Sequence, residues 1–288
     1  MSVNIFRLVA TFPFALGAQA LAPHRTTPVV LTHATVVDMT GGPPRAGMTL
    51  VLRDGKIAAM YRDGAQAAPA DAMVRDLTGQ FVLPGLIDAH VHNATEPSRG
   101  DRRSVVEARL RRTLRGGVVA VRDMGGDARA LADLARAAAA GDIESPEIRY
   151  SAIMAGPDFF TDPRVLASAA GMKPGNAPWA RALTDTTDLR QVVAEAKGSG
   201  AAAIKMYADL GPALAKRAAT EAKRQGLRVW AHLATFPAKP SDIVDAGVEV
   251  VSHAMLVPFE VQRAATWKER LGCTRGGRHH RCGNGFDV

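Results

Sequence analysis

The chain has 288 residues, 47% of them hydrophobic and 22% charged, which is an ordinary composition for a globular protein with a sizeable core. Half of its formal net charge of +8 comes from residues 261–288, which contain six Arg or Lys residues and two acidic residues. The rest of the chain is only mildly basic, so its composition does not predict a nucleic acid or a membrane surface as a partner.

The N-terminus has the pattern of an export signal. Arg7 precedes an apolar stretch over residues 8–17, and Ala-Gln-Ala at 18–20 is a small-residue cleavage motif. We therefore predict a signal peptide over 1–20 and an exported, periplasmic location. The apolar stretch is too short to span a bilayer. Both cysteines lie in the C-terminal tail and do not decide the compartment.

After this segment, residues 28–80 predict a small β-sandwich portion. Strand patterns cover 29–38, 49–53 and 56–60, and Asp54-Gly55 between the last two is a hairpin signal. From Phe81 onward the pattern alternates between apolar strands and amphipathic helices. The predicted strands are 82–92, 118–123, 148–154, 201–207, 227–232 and 248–253.

Six strands separated by helices predict parallel βα units, because parallel strands need crossover connections. The predicted fold class is therefore α/β. Residues 81–260 would form an incomplete TIM-like (β/α)₈ barrel of about six units, since a βα unit takes about 30 residues. Such barrels place their chemistry at the C-terminal ends of their strands.

Four histidines and one lysine fall at those strand ends. His90 and His92 are two positions apart on the first barrel strand, so both side chains point to the same face and can bind one ion. His232 and His253 end the fifth and sixth predicted strands, and Lys205 lies two residues before the end of the fourth. Taken one at a time, these residues could also be ordinary buried histidines and a salt-bridged lysine.

The motifs around these residues are similar to those of the amidohydrolase superfamily. They are Asp54-Gly-Lys-Ile, Gly-Gln-Phe-Val-Leu-Pro-Gly-Leu-Ile-Asp-Ala-His-Val-His at 79–92, and Gly-Val-Val-Ala-Val-Arg-Asp at 117–123. The resemblance covers residues 28–260 and is strongest to the imidazolonepropionase- and prolidase-like branch. It implies a hydrolase that cleaves C–N bonds in small amides, cyclic amides or dipeptide-like substrates with a metal-activated water.

The same resemblance implies a binuclear metal site. His90 and His92 would bind the first ion, and His232 and His253 the second. Lys205, carboxylated by CO₂, would bridge two divalent ions, zinc or alternatively manganese, iron or cobalt. A carbamate is an anionic bridge, whereas a lysine ammonium would repel the cations.

Other polar residues lie near this predicted site. Tyr207 and Trp230 share faces with Lys205 and His232, and Tyr207 is a candidate for substrate binding, although both rings could simply pack. Asp123 ends the second strand and could be an acid or could orient loops, and Asp88 lies beside the histidine pair. The resemblance implies a catalytic aspartate at the end of strand eight. No residue matches it, so the catalytic acid is unassigned.

Residues 266–288 lose the barrel periodicity and are rich in Arg, Gly, His and Cys, which indicates truncation or translation in a shifted frame. Their Cys and His residues do not have a usual zinc spacing. Two alternatives therefore stand beside the hydrolase: an inactive fragment lacking the strand-eight aspartate, and a non-enzymatic basic binding protein that uses its tail. The expected partner is a small-molecule amide rather than nucleic acid or membrane. The sequence leaves homo-oligomerisation open.

Overall fold

The computed structural model describes residues 27–97 and 100–261. The predicted signal peptide and the basic tail lie outside the described residues. The chain divides between Pro84 and Gly85 into two compact units. Within the described ranges, no helix combines the length and apolar character needed to cross a bilayer.

The N-terminal unit is a five-stranded sheet with the order β3-β2-β1-β4, and β5 also pairs with β1. Its strands are β1 (Val29–Val36), β2 (Arg45–Arg53), β3 (Lys56–Arg62), β4 (Met73–Asp76) and β5 (Phe81–Val82). The predicted hairpin between β2 and β3 is confirmed. Asp54 and Gly55 have φ values of 51° and 72°, as a two-residue turn with two left-handed positions requires.

One predicted strand is wrong in its extent. The apolar run 82–92 does not form a single strand: β5 pairs with β1 in the N-terminal sheet, whereas β6 (Leu86–Val91) begins the second sheet. Pro84 lies between them and has no N–H to donate to a ladder, so the run breaks there.

The C-terminal unit alternates strands and helices. After β6 come α1 (Arg103–Arg115), β7 (Val118–Asp123), α2 (Ala128–Ala140), β8 (Glu147–Ala155), α3 (Pro163–Ser168), β9 (Asn176–Ala177), β10 (Ala180–Ala182), α4 (Leu189–Gly198), β11 (Ala203–Met206), α5 (Pro212–Arg224), β12 (Arg228–His232), α6 (Pro240–Asp245) and β13 (Val250–Ser252). Short 3₁₀ helices cover Pro157–Thr161 and Ala254–Glu260.

Six of these strands form a parallel wall in the order β6-β7-β8-β11-β12-β13. The short β10 also pairs with the end of β8, and β9 pairs with β10. The wall is strongly curved. The ring of His90, on the first strand β6, lies only 5.0 Å from the ring of His253, which directly follows the sixth strand β13. The prediction of an incomplete TIM-like barrel with about six βα units is confirmed.

Local sequence signals explain where the helices begin and end. The Asp188 carboxylate accepts hydrogen bonds from the first N–H groups of α4, which is worth about 1 kcal/mol at such a cap. Pro212 opens α5 at a position where no N–H is needed, and Gly141 ends α2 in the left-handed conformation. The helices bury small and branched apolar side chains against the wall, such as Leu131, Val193 and Ala219.

Candidate metal centre

The structure brings the four predicted histidines together at one end of the curved sheet. His90 lies on β6, His92 directly after it, His232 ends β12 and His253 follows β13. Neighbouring ring centres are 5.3 Å apart for His90 and His92, 5.0 Å for His90 and His253, and 4.5 Å for His232 and His253. Since the strands are parallel, all four lie at their C-terminal ends, as the sequence predicts.

These spacings suit shared metal ligation. With Zn–N bonds of about 2.0–2.1 Å, two imidazoles on one tetrahedral zinc have ring centres roughly 5 Å apart. The His92 Nδ1 lies 3.0 Å from the Gly125 carbonyl oxygen. Because a carbonyl only accepts, Nδ1 donates there, and in the neutral ring with this tautomer Nε2 carries the lone pair that a metal needs.

Burial also keeps three of the imidazoles in their ligating form. Desolvation, followed by the Lys205 charge, lowers the pKa of His90 to about 3 and that of His253 to about 4. The pKa of the buried His232 falls well below its ordinary value for the same two reasons. Neutral imidazole is the form that binds metal, so these three side chains are ready as donors at neutral pH.

Lys205 lies inside the wall on β11 and is completely buried. Its Nζ donates a hydrogen bond to Ser252 Oγ at 2.7 Å, and no carboxylate among the described residues forms an ion pair with it. Burial, and then the Arg122 charge, lowers its pKa from 10.5 to about 7. A lysine with this pKa has a substantial uncharged fraction near neutral pH, and only the uncharged amine is a nucleophile.

The donor set therefore has the chemistry of a divalent-metal site, with three imidazoles of lowered pKa and a buried amine whose pKa is also lowered. Among residues 27–97 and 100–261, no three His, Cys, Asp or Glu side chains already form a closed coordination group. The four rings are neighbours but do not form a complete coordination shell.

The tyrosine predicted to line the substrate pocket packs inside the site. The Tyr207 hydroxyl donates to the Met124 carbonyl at 2.7 Å, and its ring centre lies 4.5 Å from that of His232. The Lys205 Nζ lies 5.7 Å from the Tyr207 ring centre. These contacts favour a role for Tyr207 in holding the His232 ring in place. Trp230 is buried against Met124 and Ala203.

The buried Asp123 organises the loops that follow the first two barrel strands. Its carboxylate accepts from the Asn93 N–H at 2.6 Å and from the Gly125 N–H at 3.2 Å. Burial raises the pKa of this carboxyl group, although the nearby His92 opposes the shift. Of the two interpretations open from the sequence, these contacts favour the orienting role over the acid role.

Two residues of this site were missed by sequence reasoning. Ser252 binds the lysine amine, and its signal was its position one residue before His253 at the end of an apolar strand. Gly125 supplies the carbonyl for His92 at a φ of 144°, and a Cβ there would lie 2.7 Å from Ile153 Cγ1. Only glycine fits that position without movement of its neighbours.

Comparison with known proteins gives the context of this geometry. A profile described as the amidohydrolase family matches residues 81–257, which contain all five predicted ligands. The chain belongs to the amidohydrolase family. This membership accounts for the motif order, the parallel wall and the position of the polar side chains at its C-terminal rim.

Individual relatives match shorter stretches. An imidazolonepropionase of Chromobacterium violaceum is 38% identical over 74 residues, which are 24% of this chain and 18% of the relative. A dihydroorotase of Pelotomaculum thermopropionicum is 38% identical over 93 residues, 32% of this chain and 20% of the relative. The chain thus spans about a fifth of the curated relatives in these alignments.

The structural likeness extends further. A candidate prolidase from Bifidobacterium longum superposes with a TM-score of 0.60 and 26% identity, covering 79% of this chain and 54% of that one. A solved amidohydrolase gives a TM-score of 0.65 at 23% identity, covering 80% of this chain and 62% of that structure. The second of these likenesses concerns the fold alone.

Proposed function

We propose that this chain provides the metal-binding part of an amidohydrolase that hydrolyses C–N bonds with an activated water. The observation that carries the proposal is the meeting of four histidine rings and one buried lysine at the C-terminal rim of a parallel wall. His90 and His92 would hold one divalent ion, and His232 and His253 a second. Carboxylated Lys205 would bridge them.

Each donor is prepared for that role by its surroundings. The Gly125 carbonyl fixes the ring orientation of His92, and the Tyr207 ring packs against His232. Ser252 Oγ holds the Lys205 amine within the rim, where addition of CO₂ would form an N–C bond and release one proton. When bound, divalent ions supply Lewis-acid polarisation of a carbonyl and lower the pKa of water.

The substrate class follows from the relatives only as a proposal. The matched relatives are named imidazolonepropionase, dihydroorotase and prolidase, and the substrate we infer for this chain is a small amide, cyclic amide or dipeptide-like compound. Water would add to the carbonyl carbon, the C–N bond would break, and the nitrogen would leave as an amine after taking up a proton. Which residue supplies that proton is unassigned.

Metal analysis tests the site. The chain is incubated with ZnCl₂ or MnCl₂ and bicarbonate, desalted, and analysed for metal by elemental spectrometry. We expect close to two ions per chain, and a loss of at least one ion in His232→Ala and in Lys205→Ala. His33→Ala is the matched control, because His33 is an exposed histidine of the N-terminal sheet. A wild-type chain without bound metal after loading would falsify the site assignment.

Activity is tested separately with the loaded chain. Dihydroorotate, imidazolonepropionate and an Xaa-Pro dipeptide are offered in turn, and the released product is measured. Turnover that disappears in His90→Ala supports the hydrolase. A chain that binds two ions and turns over none of these compounds would instead support the inactive-fragment alternative.

A further inference from the structure

The strand that carries His90 contains a bulge formed by Ala89 and His90 themselves. Along β6, Asp88 pairs with Val121 and Val91 pairs with Asp123, so that Ala89 and His90 together face the single residue Arg122. An extra residue in one strand of a pair disrupts the regular ladder locally and turns the side chains that follow. The sequence pattern of strict alternation contains no sign of this irregularity.

Two side chains bind the backbone of the bulge. Arg122 Nε donates to the Ala89 carbonyl oxygen at 3.1 Å, and Asp88 Oδ1 accepts from the His90 N–H at 3.1 Å. The bulged residues therefore have polar partners that an ordinary ladder would not supply. A backbone N–H or C=O group left without a partner there would lower the stability of the bulge relative to a regular strand.

The Arg122 side chain also contacts β12, a strand that is not a neighbour of β7 in the wall. Its guanidinium carbon lies 5.1 Å from the centre of the Trp230 ring, on the strand that ends in His232. Trp230 is almost completely buried, so this ring is a fixed support. No carboxylate of the described residues forms an ion pair with Arg122, which leaves the Ala89 carbonyl and the tryptophan as its described contacts.

We propose that Asp88 and Arg122 are positioning residues of the metal centre, because they pin the β6 bulge and thereby set the direction of His90. The inference rests on the proposed function, since it takes His90 to be a ligand. Neither side chain needs to touch an ion or a substrate for this role. Arg122 also connects the strand of His232 to the strand of His90, so a change at either support would reach both ends of the histidine cluster.

Matched variants distinguish the effect of losing a hydrogen bond from the effect of losing charge or side-chain volume. Asp88→Asn keeps an oxygen at the Oδ1 position, whereas Asp88→Ala removes it. Arg122→Gln keeps an N–H at the position of Nε, whereas Arg122→Met keeps the length without a donor. Zinc affinity of the full chain is measured by competition with a chromophoric chelator. We expect a loss of about tenfold to a hundredfold for Ala and Met, the range for partners of metal ligands, and about threefold or less for Asn and Gln.

A second measurement needs no metal. Amide hydrogen exchange of the peptide covering residues 86–92 is followed in the metal-free chain, and exchange should be faster in the Ala and Met variants and unchanged in the Asn and Gln variants. Asp38→Ala is the control, because Asp38 Oδ1 makes the same 3.1 Å contact to the N–H of Thr40 in the loop between β1 and β2 of the N-terminal unit. That variant should leave the zinc affinity and the exchange of 86–92 unchanged.

The outcomes separate this inference from the proposed function. If the wild type binds no zinc, the proposed site is wrong, and the exchange data alone decide whether the bulge is pinned. If the wild type binds zinc and all four variants bind it equally, or if Asn and Gln lose as much as Ala and Met, the positioning role is overturned. Should Asp88→Ala fail to fold, the Arg122 pair gives the same decision.

Discussion

The central strand β11 and the edge strand β6 both carry a residue of the candidate metal centre, but different forces hold them. All four residues of β11 are buried, and the strand lies between β8 and β12. Four of the six residues of β6 are exposed, and among the described residues β6 pairs with β7 alone. Lys205 is therefore held by packing on every side, whereas His90 depends on side-chain hydrogen bonds to its own bulge.

The largest expected effect comes from one substitution made on each strand. Ile204 on β11 is 0% exposed and Ile87 on β6 is 67% exposed. Ile204→Ala should lower the free energy of unfolding by about 2–5 kcal/mol, because a buried cavity replaces packed atoms. Ile87→Ala should change it by about 0.5 kcal/mol or less, as is usual for exposed positions.

Urea unfolding of the two variants, measured by far-UV circular dichroism, checks this pair. Similar losses in both would mean that β6 is packed as tightly as β11 in solution, and the contrast between the strands would not hold.

A smaller effect is expected from the buried amine of β11. Burial lowers the Lys205 pKa from 10.5 to about 7. Between these pH values the unfolded chain keeps the proton that the folded chain has lost, so the folded state gains stability as pH rises from 7 to 10.5. Lys205→Met removes this dependence. The variant should be more stable than wild type at pH 6, with a difference that shrinks towards pH 10.

The measurement uses metal-free protein with a chelator in CO₂-free buffer, so that neither metal nor carbamate enters. Lys216→Met on the exposed surface of α5 is the control and should run parallel to wild type at every pH. A Lys205→Met curve that is also parallel to wild type would show that the amine is solvated in solution.

The smallest effect concerns Glu221 on α5, the helix that packs against β11 and β12. Hydrogen bonds from Arg224, and then from Gln225, lower the Glu221 pKa from 4.5 to about 2. A lowered acid pKa adds stability above pH 4.5 that is lost as pH falls towards 2. Glu221→Gln should therefore be slightly less stable than wild type at pH 7 and equal to it near pH 2.

Urea midpoints at these two pH values provide the check for Glu221→Gln. Surface ion pairs contribute little, so a loss comparable to that of Ile204→Ala would contradict the view that packing rather than charge holds the central strand.

Much of the fold was predictable because it depends on short-range patterns. The strand 118–123 was predicted with its observed bounds, since Gly116-Gly117 separates it from the preceding helix. The start of α4 at Asp188 and the end of α2 at Gly141 can likewise be predicted from the sequence, because a helix cap depends only on residues within one helical turn. The five candidate ligands were found by their type and their position at strand ends, and their role in metal binding stays a prediction.

The sequence by itself determined the repeating βα pattern, the strand ends at which the histidines lie and the motifs of the amidohydrolase family, because each is written in neighbouring residues. Only the tertiary structure decided that β5 pairs with β1, that Ser252 binds Lys205, and that Arg122 binds the bulge that contains His90. These features join residues far apart in the chain through sheet curvature and register. A local pattern contains neither quantity, since both depend on how whole strands pack against one another.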